Sequence, residues 1–228
     1  MNYLRFLFLF LFVAIFFSSC NKKESVHEVD AKIISYEVNY INDLAGSIPT
    51  KILPNKMELI FGEQYAKNTI EGFMGQFSLS YISNLKKEKV ITLLKIFDKK
   101  YYYQGSSKEL PCGINPMKNM VLIPNGKSAT ILGFEAKEYD LNIGGIEGMK
   151  VYTTSDIQVR NPNCSTPYYS IDEVLLQFYT KLSVLEMYLV AESFKEETIS
   201  SSIFSIPNGY TEVSRLKMEN TLAELFKK

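Results

Sequence analysis

A single histidine, His27, limits the acid–base chemistry open to this chain. It precedes the first periodic segment, in polar sequence, and reads as a solvated linker residue. A Ser-His-Asp or Cys-His centre inside the folded part is thereby excluded, and so is a histidine-rich metal centre. Carboxylates occur as adjacent pairs, Asp172-Glu173 and Glu196-Glu197. Acid–base work needs two carboxylates facing one cleft at a set separation, whereas neighbours on a strand point to opposite faces. Both pairs read as solvated residues beside turns. Gly144-Gly145-Ile146-Glu147-Gly148 lacks the spacing of a phosphate loop and sits between alternating runs, as a hairpin does. Asp156 and Asp172 lack the DxDxDG spacing of a calcium loop. The expectation is a non-catalytic protein with no cofactor and no metal.

Two further groups of residues carry chemistry. Cys112 and Cys164 lie in loop-like sequence, "LPCGINP" and "RNPNCSTP". An even pair in a secreted chain allows a disulfide, and closing so long a loop contributes roughly 4 kcal/mol before strain. Two free thiols or a redox pair are the alternatives. The wide separation is neither a CxxC redox site nor a zinc knuckle. The aromatics are the other group. Tyr36, Tyr40, Phe77, Tyr81 and Phe178 are candidates to line a concave apolar pocket, since acyl ligands need apolar walls with few polar groups. A packed core is the competing reading of the same residues.

The elements that must position these residues are mostly strands. Ile34, Tyr36, Val38 and Tyr40 alternate with polar residues, as do Phe77, Leu79 and Tyr81. That period of two predicts half-buried strands. Val90–Phe97 and Tyr101–Tyr103 flank a turn and predict a hairpin. Short strands are predicted at 118–123 and 129–134, around Pro124-Asn125-Gly126. Further strands are predicted at 139–143, at 149–153, from Val174, from Leu185 and at 203–206. A helix is predicted near 62–71. The period then changes: Met218, Leu222, Leu225 and Phe226 share one helical face behind Ser214, a good N-cap. Many antiparallel strands with few helices predict a mainly β (α+β) domain, one strongly curved antiparallel sheet whose apolar face is covered by two or three helices or by loops.

The charge balance bounds the partners. Of 25 basic residues, Arg5 lies in the leader described next, which leaves 24 against 25 acidic ones. Without a basic excess, nucleic acid is not an expected partner. The N-terminus supplies an address. Arg5 is followed by an apolar run from Phe6 to Phe17, too short for the roughly 20 residues of a membrane span. A charged start, a short apolar centre and small residues make a secretory signal. Phe17-Ser18-Ser19-Cys20 resembles the lipobox of bacterial lipoproteins. The resemblance implies cleavage after Ser19 and lipid attachment at Cys20, with Phe17 standing where the family prefers Leu. The expected organisation is a lipoprotein signal peptide at 1–19, a lipidated Cys20 with a polar tether to residue 30, and one domain at 31–228. Asn21 in place of Asp fits an outer-membrane location facing the periplasm.

The second half carries a recognisable order: "ILGFEAKEYDL", "MKVYTTSDI", then "LEMYLVAESFKEETISSSIFSIPNGYTEVS". It resembles lipoprotein families of Gram-negative envelopes grouped with LolA-like proteins. The matching positions are Gly133, Phe134, Ala136, Tyr139, Val151–Ile157, Phe204, Ile206, Pro207, Gly209 and Tyr210. The resemblance implies a half-barrel whose concave face holds acyl chains. Two functions are therefore expected. One is a membrane-anchored protein that binds a lipid, another apolar ligand or an acylated protein in that face. The other is an interaction lipoprotein with a filled core that binds another envelope protein.

Overall fold

The computed structural model describes residues 26–144 and 146–226, without the side chains of Ile146 and Glu147. The expected signal peptide, Cys20 and residues 21–25 of the expected tether lie outside them. Period-two alternation becomes strand along most of the described chain. The strands are β1 (Glu28–Tyr40), a two-residue hairpin of β2 (Leu44–Ala45) and β3 (Ile48–Pro49), β4 (Lys56–Phe61), β5 (Tyr65–Gly72), β6 (Phe77–Asn84), β7 (Lys89–Ile96) and β8 (Lys99–Gln104). The second half adds β9 (Met120–Ile131), β10 (Phe134–Ile143), β11 (Ile146–Thr154), β12 (Val174–Leu182), β13 (Leu185–Ser200) and β14 (Thr211–Glu212).

Twelve of these form one curved, open sheet in the order β14-β8-β7-β6-β5-β4-β1-β13-β12-β11-β10-β9. Two antiparallel meanders, β4–β8 and β9–β13, are joined by β1, which pairs with β4 on one side and β13 on the other. Register shifts interrupt the ladders at Ser35/Tyr36, Lys137/Tyr139 and Tyr152/Thr153. Such bulges bend a sheet, and here they curve it around a concave face.

Pleating sorts the side chains. Tyr36, Leu79, Tyr81, Leu94, Phe178 and Leu189 enter a large core on the concave side. Ile82, Leu93 and Phe204 form a smaller cluster with Ile203, Ile206 and Tyr210. Ile82 and Leu93 alternate with the concave residues, so this cluster lies on the convex face.

Some expected elements differ. Strand β1 starts at Glu28, inside the expected tether, because Glu28 to Asp30 pair with Ser200 to Thr198. His27 is exposed, as expected, but its backbone is tied to the domain: its amide donates to Ser201 Oγ at 3.0 Å and its carbonyl accepts from the Ser201 amide at 2.8 Å. The expected helix at 62–71 is strand β5, whose backbone is bonded to both β4 and β6. The two strands expected around Pro124 are one bulged strand, β9. Pro124 lies on the sheet edge, where its missing N–H costs no ladder bond. Residues 203–206 are not a strand; Ser201–Phe204 forms a 3-10 turn.

The C-terminal helix α1 (Arg215–Glu224) forms as the period predicts. Ser214 caps it by accepting from the Lys217 amide, and Met218 and Leu222 are buried. It is the only α-helix among the described residues. Loops at 105–119 and 155–173 cover the rest of the concave face.

Candidate functional site

The five aromatics expected in a concave pocket do converge on that side, but most are fixed in place. Tyr36 is fully buried on β1. Its hydroxyl donates to the Leu175 carbonyl at 2.7 Å, and its ring meets Phe178 edge-on at 5.7 Å. Tyr168, from the covering loop, also meets Phe178 edge-on at 5.9 Å and donates to the Tyr179 carbonyl. Tyr81 donates to the Cys112 carbonyl at 2.9 Å, which ties β6 to the loop at 105–119. Tyr40 donates to the Pro54 carbonyl at 2.6 Å. Burial pushes all four phenols up, Tyr40 to about 12, so they remain neutral donors at any working pH.

What remains open is small. Tyr40 and Phe77 line an apolar cavity of about 100 Å³ with Leu53, Phe73, Met187 and Phe226. Tyr81 and Phe178 line a neighbouring cavity of about 60 Å³. The two share Ile70, Leu79, Leu182 and Met187 as walls. Ligand pockets run to roughly 300–1,000 Å³. The concave face is therefore largely filled by its own side chains and by loops.

The mouth of the first cavity lies at one end of the sheet, between turns that expose apolar residues. Phe73 and Met74 stand in the β5–β6 turn, Phe97 in the β7–β8 turn, and Val184 in the β12–β13 turn. Ile41, Leu44 and Ile52 stand in the β1–β4 connection. Short contacts join these turns: the Phe97 amide donates to the Gln76 carbonyl at 2.7 Å, and the Ile41 amide to the Glu186 carbonyl at 2.9 Å. Pro54 sits so near Gly72 that a Cβ there would lie 2.3 Å from its Cγ. Sequence reasoning passed over this rim because its residues sit in turns, outside any periodic run.

No family model matches the chain, and no curated protein matches it. Among solved structures it is similar to "Structure of PNGF-II in C2 space group", with a TM-score of 0.55 and 13% identity. The match covers 85% of this chain and 32% of that one, so this chain spans about a third of that protein's length. At this identity the likeness is one of fold.

The remaining candidates are engaged in structure. Cys112 and Cys164 are both free thiols, so the disulfide alternative is not what the structure holds. Burial pushes each up to about 11, which leaves them protonated and poorly nucleophilic at neutral pH. Cys164 lines a hollow of about 570 Å³ in the covering loops, with Lys108, Tyr169, Pro116 and Pro167. Glu173 is held by Lys137 and Thr153. Glu196 and Glu197 lie within β13, not beside a turn, near Lys32 and Lys195. Glu138 accepts from Tyr152 at 2.8 Å, from Asn125 at 2.7 Å and from Lys150, bonds that hold its carboxyl below the usual range. Ser201 Oγ lies 3.5 Å from His27 Nδ1, at the limit of a hydrogen bond and in an exposed position. Among the described residues no three His, Cys, Asp or Glu side chains group to hold a metal, and no helix is long and apolar enough to cross a membrane.

Proposed function

We propose that this is a membrane-anchored, non-catalytic envelope lipoprotein of LolA-like type that works through its surface, its interior being filled. The observation that carries the reading is the packing of the concave face. Tyr36, Tyr81 and Tyr168 are tied by their hydroxyls to backbone carbonyls, and the two cavities between the aromatics of that face measure about 100 and 60 Å³. An engineered cavity of about 150 Å³ takes up a molecule the size of benzene, far short of an acyl chain. The expectation of a lipid held inside the sheet loses ground to that of a filled core that presents a surface. Anchoring rests on the lipobox-like run ending at Cys20.

The test is native mass spectrometry of the chain from Asn21, purified gently from a bacterial envelope, before and after organic extraction. A single apo mass, unchanged by added phospholipid or fatty acid, is the expected outcome. A stoichiometric adduct of lipid mass that extraction removes would overturn the filled-core reading.

A further inference from the structure

Of thirteen large apolar residues exposed on the described surface, seven stand at one end of the sheet: Ile41, Leu44, Ile52, Phe73, Met74, Phe97 and Val184. Single exposed apolar residues are ordinary; a cluster marks a protein or membrane contact. Three of the seven also occupy conformations that disfavour them. Phe73, Met74 and Phe97 have φ of +52°, +54° and +54°. Phe97 is the first residue of a two-residue hairpin turn, a place where glycine or asparagine fits without strain. Met74 is fully exposed and Phe97 is two-thirds exposed, so neither gains burial in return. Bulky apolar side chains held at strained turn tips, in water, contribute nothing to folding, and strain that serves no fold points to a function.

We propose that this rim is a second membrane contact, inserting its turn tips into the interface of an anionic bilayer. The proposal deepens the anchored, filled-core reading above and rests on it. Two features favour a bilayer over a protein groove. The apolar residues project from four separate segments around a cavity mouth, as insertion into a fluid layer allows. The charge nearby tilts to basic: Lys51, Lys95, Lys99 and Lys100 stand at this end with Asp43, Glu71 and Asp98. Lysines beside inserting apolar residues add attraction to anionic lipid.

The reach of the tether sets the geometry. Residues 20–27 extend to about 28 Å at most. The 13 residues of β1 separate the tethered end of the sheet from the rim by about 43 Å. The rim meets the anchoring bilayer when the strands lie within about 40° of its plane, from the ratio of those two lengths. A lipid anchor then raises the local concentration of bilayer at the rim, so a weak second contact suffices.

Every element lies within residues 28–226, so the chain from Asn21 keeps the whole fold without the lipid. That chain is floated with vesicles of phosphatidylcholine alone and of phosphatidylcholine with an equal share of phosphatidylglycerol. A double variant, Met74→Gly and Phe97→Gly, carries residues that suit the turns, leaves the cavity wall at Phe73 intact and is expected to melt no lower than wild type. The expected result is partition of the wild type onto the anionic vesicles, with at least a tenfold loss in the variant. Equal binding by both proteins overturns the proposal. Failure of wild type to float also overturns it and assigns the rim to a protein partner. A bound lipid in native mass spectra with normal loss in the variant sinks the filled-core reading alone.

Discussion

At the scale of single residues, the concave face depends on tyrosines whose hydroxyls replace water with main-chain partners. Tyr36 is the clearest case, with no exposure and one bond, to the Leu175 carbonyl. Tyr36→Phe keeps the ring against Phe178 and removes only the donor, leaving a buried carbonyl without its bond. Such a loss costs about 1–3 kcal/mol. Thermal unfolding followed by circular dichroism should fall by roughly 2–10 °C for a domain of this size. An unchanged midpoint would mean that the hydroxyl contributes nothing to the packed face. The aromatic identities were legible in the sequence, since Tyr36, Phe77, Tyr81 and Phe178 all belong to alternating runs. Their state was not. Whether a ring lines a void or fills it depends on Tyr168 and Cys112, which come from loops without periodicity and reach the ring from far along the chain.

At the scale of elements, α1 is fastened across the concave side by one arginine. Arg215 bonds Glu109 at 2.5 Å and the Leu110 carbonyl at 3.0 Å from one nitrogen, and Glu219 at 3.0 Å from the other. Burial alone would raise the carboxyl of Glu109. Bonds from the Ser106 amide and hydroxyl, from Arg215 and from Tyr103 outweigh it and hold the group below its ordinary range. A folded value below the unfolded one, about 4.3, contributes stability that is complete above that pH and is lost as pH falls through the folded value. Denaturant titrations should therefore lose stability below about pH 4.3. Glu109→Gln should be less stable at pH 7 and flatter through that acid window; a parallel curve would show that the clip has no part in acid sensitivity. Helix α1 was readable from its cap and its period. Strand β5 was not: between Tyr65 and Gly72 the apolar residues are sparse, and pairing on both sides decided what local pattern left open.

For the whole molecule, the decisive element is β1. Hairpins join most neighbouring strands of each meander, and the sequence showed some of their turns, those after β7 and β10, while those on either side of β5 stayed hidden. Nothing local shows that β1 inserts between β4 and β13, with Glu28 pairing with Ser200 near the far end of the sheet. Neither meander closes a core without that strand, because the concave cluster draws Leu79 and Tyr81 from one half and Phe178 and Leu189 from the other. Closing so long a loop precedes any gain from the contacts it makes, which slows folding and couples the halves. Intact, the domain should melt in one transition with equal calorimetric and van't Hoff enthalpies. Cut in the loop after β8, the chain gives a fragment 21–110 that holds β1 without its β13 partner, and a fragment 111–228 that holds β13 without β1. Neither should show a cooperative melt alone, and mixing should restore one. A cooperative transition in either fragment would mean that the sheet is two domains laid edge to edge, and that β1 only decorates a half that already stands.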